Sequence, residues 1–145
     1  MDAQTKRLAK PLEDIFAKAP ALPSSARELL VSVAPWISLV FGVLLVLVSL
    51  GGLGLGSFLG SFAMYAGAGN TMFLLVASIL GIVQGAVMVL AFAPLKKRSI
   101  TGWNWWFWAE IISVVAAVVA FNLLGAVINA VIGFYLIFQV RSYYK

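Results

Sequence analysis

The sequence contains no cysteine and no histidine. Disulfides, thiolate nucleophiles and thiolate-bound zinc or iron–sulfur clusters are excluded with the first. With the second go the commonest ligand of haem and catalytic zinc and the usual general base near neutral pH. No cofactor and no metal site is expected. Charge is scarce too: 10% of the 145 residues are charged, against about a quarter in soluble domains. No pair of Asp residues stands inside an apolar run, no glycine-rich loop opens a soluble helix, and no serine has a neighbouring base. Gly51 to Gly56 matches a dinucleotide fingerprint only in glycine count, without a strand or a soluble setting. No catalytic residue is assigned, and an enzyme is not expected.

What the chain has in excess is apolar surface, at 63% of its residues. A soluble domain this short buries only part of its surface and would be left with sticky patches. The composition therefore predicts an all-α membrane protein, with residues 1–24 as an N-terminal arm and residues 25–145 as a four-helix transmembrane domain. Unbroken apolar runs, not alternation, exclude a β-barrel.

Residues 1–35 hold nine charges and four of the five prolines. No apolar core follows the first basic residues, so a signal-peptide layout is not expected. Leu8, Leu12, Ile15 and Phe16 recur at helical spacing, which predicts a short surface helix unless Pro11 breaks it. Ser25 to Glu28 has the form of a capping box, placing a helix start at residue 26. The first span is expected over about 34–50, entered past Pro35 and Trp36.

Residues 51–70 carry seven glycines. These could form a strip for close helix approach, or end the first span and allow a bend before a short outer interfacial helix with Leu55, Phe58, Phe62 and Tyr65 on one face. The second is preferred, because a helix continued through Gly60 would reach about 40 Å against a hydrocarbon core of about 30 Å. The second span covers about 71–94, with Gly81 and Gly85 as a packing ridge. The stretch from Trp103 to Val140, about 57 Å as one helix, must fold back. Asn122 and Gly125 supply the turn of a tight hairpin between spans of about 103–121 and 124–140, and Gly125 and Gly133 are expected to pack against neighbours.

An N-terminus in the cytoplasm places all ten Lys and Arg residues on that side and leaves both outer connections uncharged. This positive-inside bias predicts cytoplasmic termini, most simply in a bacterial inner membrane. Lys96, Lys97 and Arg98 followed by Trp103, Trp105, Trp106 and Trp108 read as a lipid-interface belt facing anionic headgroups. The basic residues lie beside apolar runs and not on a folded polar face, so no nucleic-acid partner is expected.

One charge falls inside a predicted span, Glu110, and an intramembrane acid is a candidate functional group. By depth its neighbours are Tyr135 and Gln139, with Gln84 nearer the bilayer middle. A structural role predicts a hydrogen bond to Tyr135 or an ion pair with Lys96, Lys97 or Arg98; the alternatives are proton or cation binding, or recognition of a subunit or lipid headgroup. Length, span count and one buried acid resemble the small multidrug resistance transporters. That family's essential acid lies in the first span and its dual topology needs a weak charge bias, so the chain is not placed in it. The expected function is a small non-catalytic accessory, scaffold or assembly subunit, associating with other membrane proteins or with itself. The alternative is an oligomeric small-solute or ion transporter using Glu110 as coupling acid.

Overall fold

A computed structural model describes residues 3–66 and 71–145, with side chains described for residues 4–54 and 75–145. The described residues form helices α1 (Ala3–Phe16), α2 (Ser24–Ala66), α3 (Thr71–Lys96), α4 (Ile100–Val119) and α5 (Leu123–Val140), closed by a 3-10 turn at Arg141–Tyr143. Four segments are long and apolar enough to cross a membrane: Ser24–Gly54, Leu75–Lys96, Ile100–Val119 and Leu123–Tyr143. The described residues contain no strand, and their four long apolar helices are those of an integral membrane protein.

Two boundaries differ from the sequence-based expectation. Helix α2 begins at Ser24, and Pro35 is buried within it. It then continues through residues 51–66, so the bend and the separate outer helix are not found there. A glycine costs a helix about 1 kcal/mol relative to alanine, whereas a broken helix in an apolar setting strands backbone amides at several kcal/mol each. Gly52 realises the other reading, close approach, since a Cβ there would meet the Ser78 hydroxyl of α3. Residues 67–70 and the faces of Leu55, Phe58, Phe62 and Tyr65 lie outside the described residues.

Consecutive helices pack antiparallel, α2 most extensively on α3, then α3 on α4 and α4 on α5, while α2 and α5 meet lightly. The α2–α3 seam is built on small residues. Ser38, Gly42, Leu45, Ser49 and Gly52 recur at alternating four- and three-residue steps, facing Ser78, Gly81, Gly85 and Met88. A Cβ on Gly85 would lie 2.7 Å from the Gly42 carbonyl oxygen, and one on Gly42 would lie 2.9 Å from that of Gly85. Such contact brings two backbones together where lipid offers no hydrophobic drive between helices. The Ser38 hydroxyl donates to the Met88 carbonyl at 2.7 Å.

The tight connection between α3 and α4 depends on two residues. Gly102 has no room for a Cβ, which would fall 2.7 Å from the Pro94 carbonyl carbon. Arg98 adopts the left-handed region at φ 52°, held by its carbonyl accepting from Lys145 N at 3.0 Å and its guanidinium donating to Glu28 at 2.7 Å. Ser99 caps α4, its hydroxyl accepting from Thr101 N. Helices α4 and α5 are joined through residues 120–122, where Asn122 accepts from Gly125 N at 3.0 Å.

The buried cluster of the described residues, including Val31, Leu95, Trp103, Phe107, Ile137 and Tyr144, gathers at the end of the bundle that carries the α3–α4 turn. Helix α1 belongs to that end. Its Thr5 and Ala9 are fully buried, Phe16 stacks on Phe138 at 5.9 Å, and Glu13 pairs with Arg141 at 2.9 Å. Leu8 and Ile15 stay exposed, so the inward face is Thr5, Ala9, Leu12 and Phe16, one step round from the one the sequence suggested. Pro11 lies inside the helix and does not break it.

Candidate functional site: the Glu110 cleft

The α4–α5 seam is polar where the α2–α3 seam is small. Glu110 and Ser113 of α4 lie one turn apart and face Gly133 and Asn129, also one turn apart, on α5. Asn129 Nδ2 donates to Ser113 Oγ at 2.8 Å. The Glu110 carboxylate lies against Gly133, in space a Cβ at that position would occupy. Gly133 is therefore a packing glycine, as its spacing suggested, but what it admits is a carboxylate. Gly125 instead lies under the Asn122 cap, whose side chain fills the space of a Cβ, and serves the turn.

Because α2 and α5 meet lightly, a cleft of about 310 Å³ remains between them with Glu110 at its base. Leu30, Ala34 and Ile37 of α2 form one wall. Ile132, Gly133, Leu136, Ile137 and Val140 of α5 form the other, with Trp106 and Asn129 completing it. The rim residues Ile37 and Ile132 are exposed. Glu110 Oε1 is buried and has no hydrogen-bond partner. An acid left so in hydrocarbon must be neutralised, hydrated or paired.

Neither expected partner reaches it. The Tyr135 hydroxyl donates to the Pro20 carbonyl at 2.7 Å, and Gln139 accepts from Leu22 N at 3.1 Å while donating to the same Pro20 carbonyl at 3.3 Å. Both side chains clamp the α1–α2 connection onto α5, a use that sequence spacing cannot show. Gln84 lies in a different groove, between α2 and α3 beside Phe41 and Met88. Of the cations expected as partners, Arg98 holds Glu28, Lys96 lies over the Trp36 ring at 5.3 Å, and Lys97 lines a separate hollow with Ser142 and Lys145.

The tryptophans do not act as one belt. Trp103 is fully buried, donates from Nε1 to the Ile137 carbonyl at 3.0 Å and stacks on Phe107, with the Arg141 guanidinium 5.2 Å from its ring centre. It is a core residue, because α1 and the C-terminal turn cover the end of α4 where it sits. Trp108 Nε1 donates to Thr5 Oγ1 at 3.0 Å, Trp106 lines the Glu110 cleft, and Trp105, 37% exposed, remains on the outside. Trp36, 53% exposed with Lys96 above it, has the amphipathic setting expected at an interface.

Residues missed in the sequence are Gly42, Ser38, Ser49 and Ser78 of the close seam, Gly102 of the turn and Ser113 beside the acid. The four-three spacing from Ser38 to Gly52 was a readable signal; Gly102 and Ser113 carry none. No family model, no curated protein and no solved structure matches the chain. Among the described residues no group of three or more acidic side chains is placed to hold a metal ion.

Proposed function

We infer that this protein is a small non-catalytic accessory or assembly subunit of a membrane complex, and that the cleft between α2 and α5 receives a transmembrane segment of its partner. The carrying observation is an acid without a partner in an apolar cleft, set against four polar side chains of the spans that have one; Asn104 Oδ1 is also buried and unpartnered but lines no part of this cleft. Ser38, Ser113, Asn129 and Trp103 hydrogen-bond within the chain, whereas Glu110 Oε1 has no partner and lies at the base of an apolar cleft. A polar group held ready where two helices fail to close suits recognition by a helix from outside, since intramembrane polar contacts hold helices together.

The basic end of the bundle carries Lys96, Lys97, Arg98, Arg141 and Lys145, and in this reading it faces the cytoplasm and anionic headgroups of a bacterial inner membrane, with both termini on that side. Purification from the native membrane in mild detergent, with mass and co-purifying proteins identified together, tests the reading. A stoichiometric larger complex supports it; a homogeneous homo-oligomer without partners rejects it. The unpartnered acid also favours one second reading, proton- or cation-coupled transport by an oligomer. There Glu110→Gln abolishes flux in reconstituted vesicles while the fold survives.

A further inference from the structure

Resting on the docking reading above, we propose that the partner segment entering the α2–α5 cleft carries a Lys or Arg side chain whose cationic head pairs with Glu110. The cleft divides chemically in the way such a side chain does. Its walls, Ile37 and Ala34 on one side and Ile132 and Leu136 on the other, are aliphatic, matching the methylene stem that Lys and Arg bury along apolar surface. Its base offers acceptors. The Glu110 carboxylate lines the cleft, its Oε1 buried without a partner, and Asn129, whose Nδ2 donates to Ser113, lines it too. Trp106 adds an aromatic side chain, a surface over which cations bind.

A neutral donor would satisfy Oε1 but leave the carboxylate's charge in hydrocarbon. A basic residue in a membrane span has the complementary problem, and such groups characteristically pair with one another. None of the chain's own cations lines the cleft. Arg98 and Arg141 pair with Glu28 and Glu13, Lys96 lies over Trp36 and Phe92, and Lys6, Arg7 and Lys10 line a hollow on α1 with Asp14. Arg27, on the first turn of α2 and one turn from Leu30, has a buried Nε without a partner but does not line the cleft. Gly133 fits the same account, since its missing Cβ leaves the carboxylate space on the cleft floor.

The test uses the full chain, donor-labelled at one added surface cysteine, in phosphatidylcholine vesicles. Acceptor-labelled single-span peptides of one Leu/Ala sequence carry Lys, Gln or Leu at the centre, and association is read by energy transfer. The Lys peptide should associate about tenfold more tightly than the Leu peptide. Glu110→Gln should reduce it to the Leu level, while Glu110→Asp and Gln84→Leu, the latter outside the cleft, should keep the preference. Circular dichroism and tryptophan emission confirm that each variant is folded. If all three peptides associate alike, the cationic partner is overturned while helix docking stands. If none associates, docking fails with it. If benzyltrimethylammonium binds the parent chain but not Glu110→Gln, and no peptide does, the cleft is a small-cation site and the partner proposal is overturned.

Discussion

The two halves of the bundle solve the same problem with opposite chemistry. Helices α2 and α3 have little to gain by hiding apolar side chains from lipid, which is as apolar as they are. They approach through Gly42, Gly81 and Gly85, and their contact is saturated. Helices α4 and α5 instead hold Glu110, Ser113 and Asn129 at their seam, and Ser113 with Asn129 consumes only part of that bonding capacity. A seam made of close contact is complete within one chain. A seam made of polar groups can be left incomplete, and Glu110 marks where this one is.

The largest expected effect is on the saturated seam. Gly85→Leu places a branched side chain where even a Cβ lies 2.7 Å from the Gly42 carbonyl, and should cost about 3 kcal/mol, the upper part of the range for overpacking. Reversible unfolding in mixed micelles reads the change. If stability is unaltered, close approach is not what joins α2 to α3.

The polar seam should respond through coupling. Gly133→Ala pushes a methyl group into the space of the Glu110 carboxylate and should destabilise by about 1–2 kcal/mol. Glu110→Ala alone should be close to neutral in the isolated protein, because it removes a buried group with no partner to orphan. With Glu110→Ala already present, Gly133→Ala should become nearly silent, giving a coupling energy of about 1–2 kcal/mol in a double-mutant cycle. Additive effects would separate Gly133 from the acid and dissolve the contrast between the seams.

The smallest effect tests the same principle outside the spans. The Tyr144 hydroxyl is also buried without a hydrogen-bond partner, and burial pushes it up to about 12, partly offset by the nearby Arg98 charge. Tyr144→Phe should change stability at neutral pH by less than about 1 kcal/mol. The sign at alkaline pH is set by linkage: between about pH 10 and 12 the unfolded chain releases a proton that the folded chain retains, so stability falls as pH rises. The Phe variant lacks this component, and a chemical-denaturation series across that window should show the two curves diverging. Parallel curves would mean that the hydroxyl is solvated.

Much of the site was visible in the sequence as separate residues. Glu110 stood out because a charge inside an apolar run is conspicuous, and Gly81, Gly85 and Gly133 because small residues recur at helical spacing. What could not be read was how the helices rotate against one another. Depth alone puts Tyr135 and Gln139 near Glu110, yet they point to the α1–α2 connection at Pro20 and Leu22. Its position after a basic loop points Trp103 to the interface, but the return of α1 and of the C-terminal turn buries it. The glycines of residues 51–66 suggest a bend but lie in a continuous helix, where pairing with α3 gives Gly52 a use.

The amino-acid sequence by itself determined that the chain is helical and suited to a membrane, how many segments are long and apolar enough to cross it, and that no thiol or imidazole chemistry is open to it. Those follow from composition, run length and the cost of unpaired backbone in lipid, which act on each segment alone. The tertiary structure decided which glycine meets which helix, that α1 folds back onto α4 and α5, and that Glu110 faces a cleft and not a partner of its own chain. These depend on which faces meet, and in hydrocarbon every outward face is equally tolerated, so only the packing of the whole bundle selects among them.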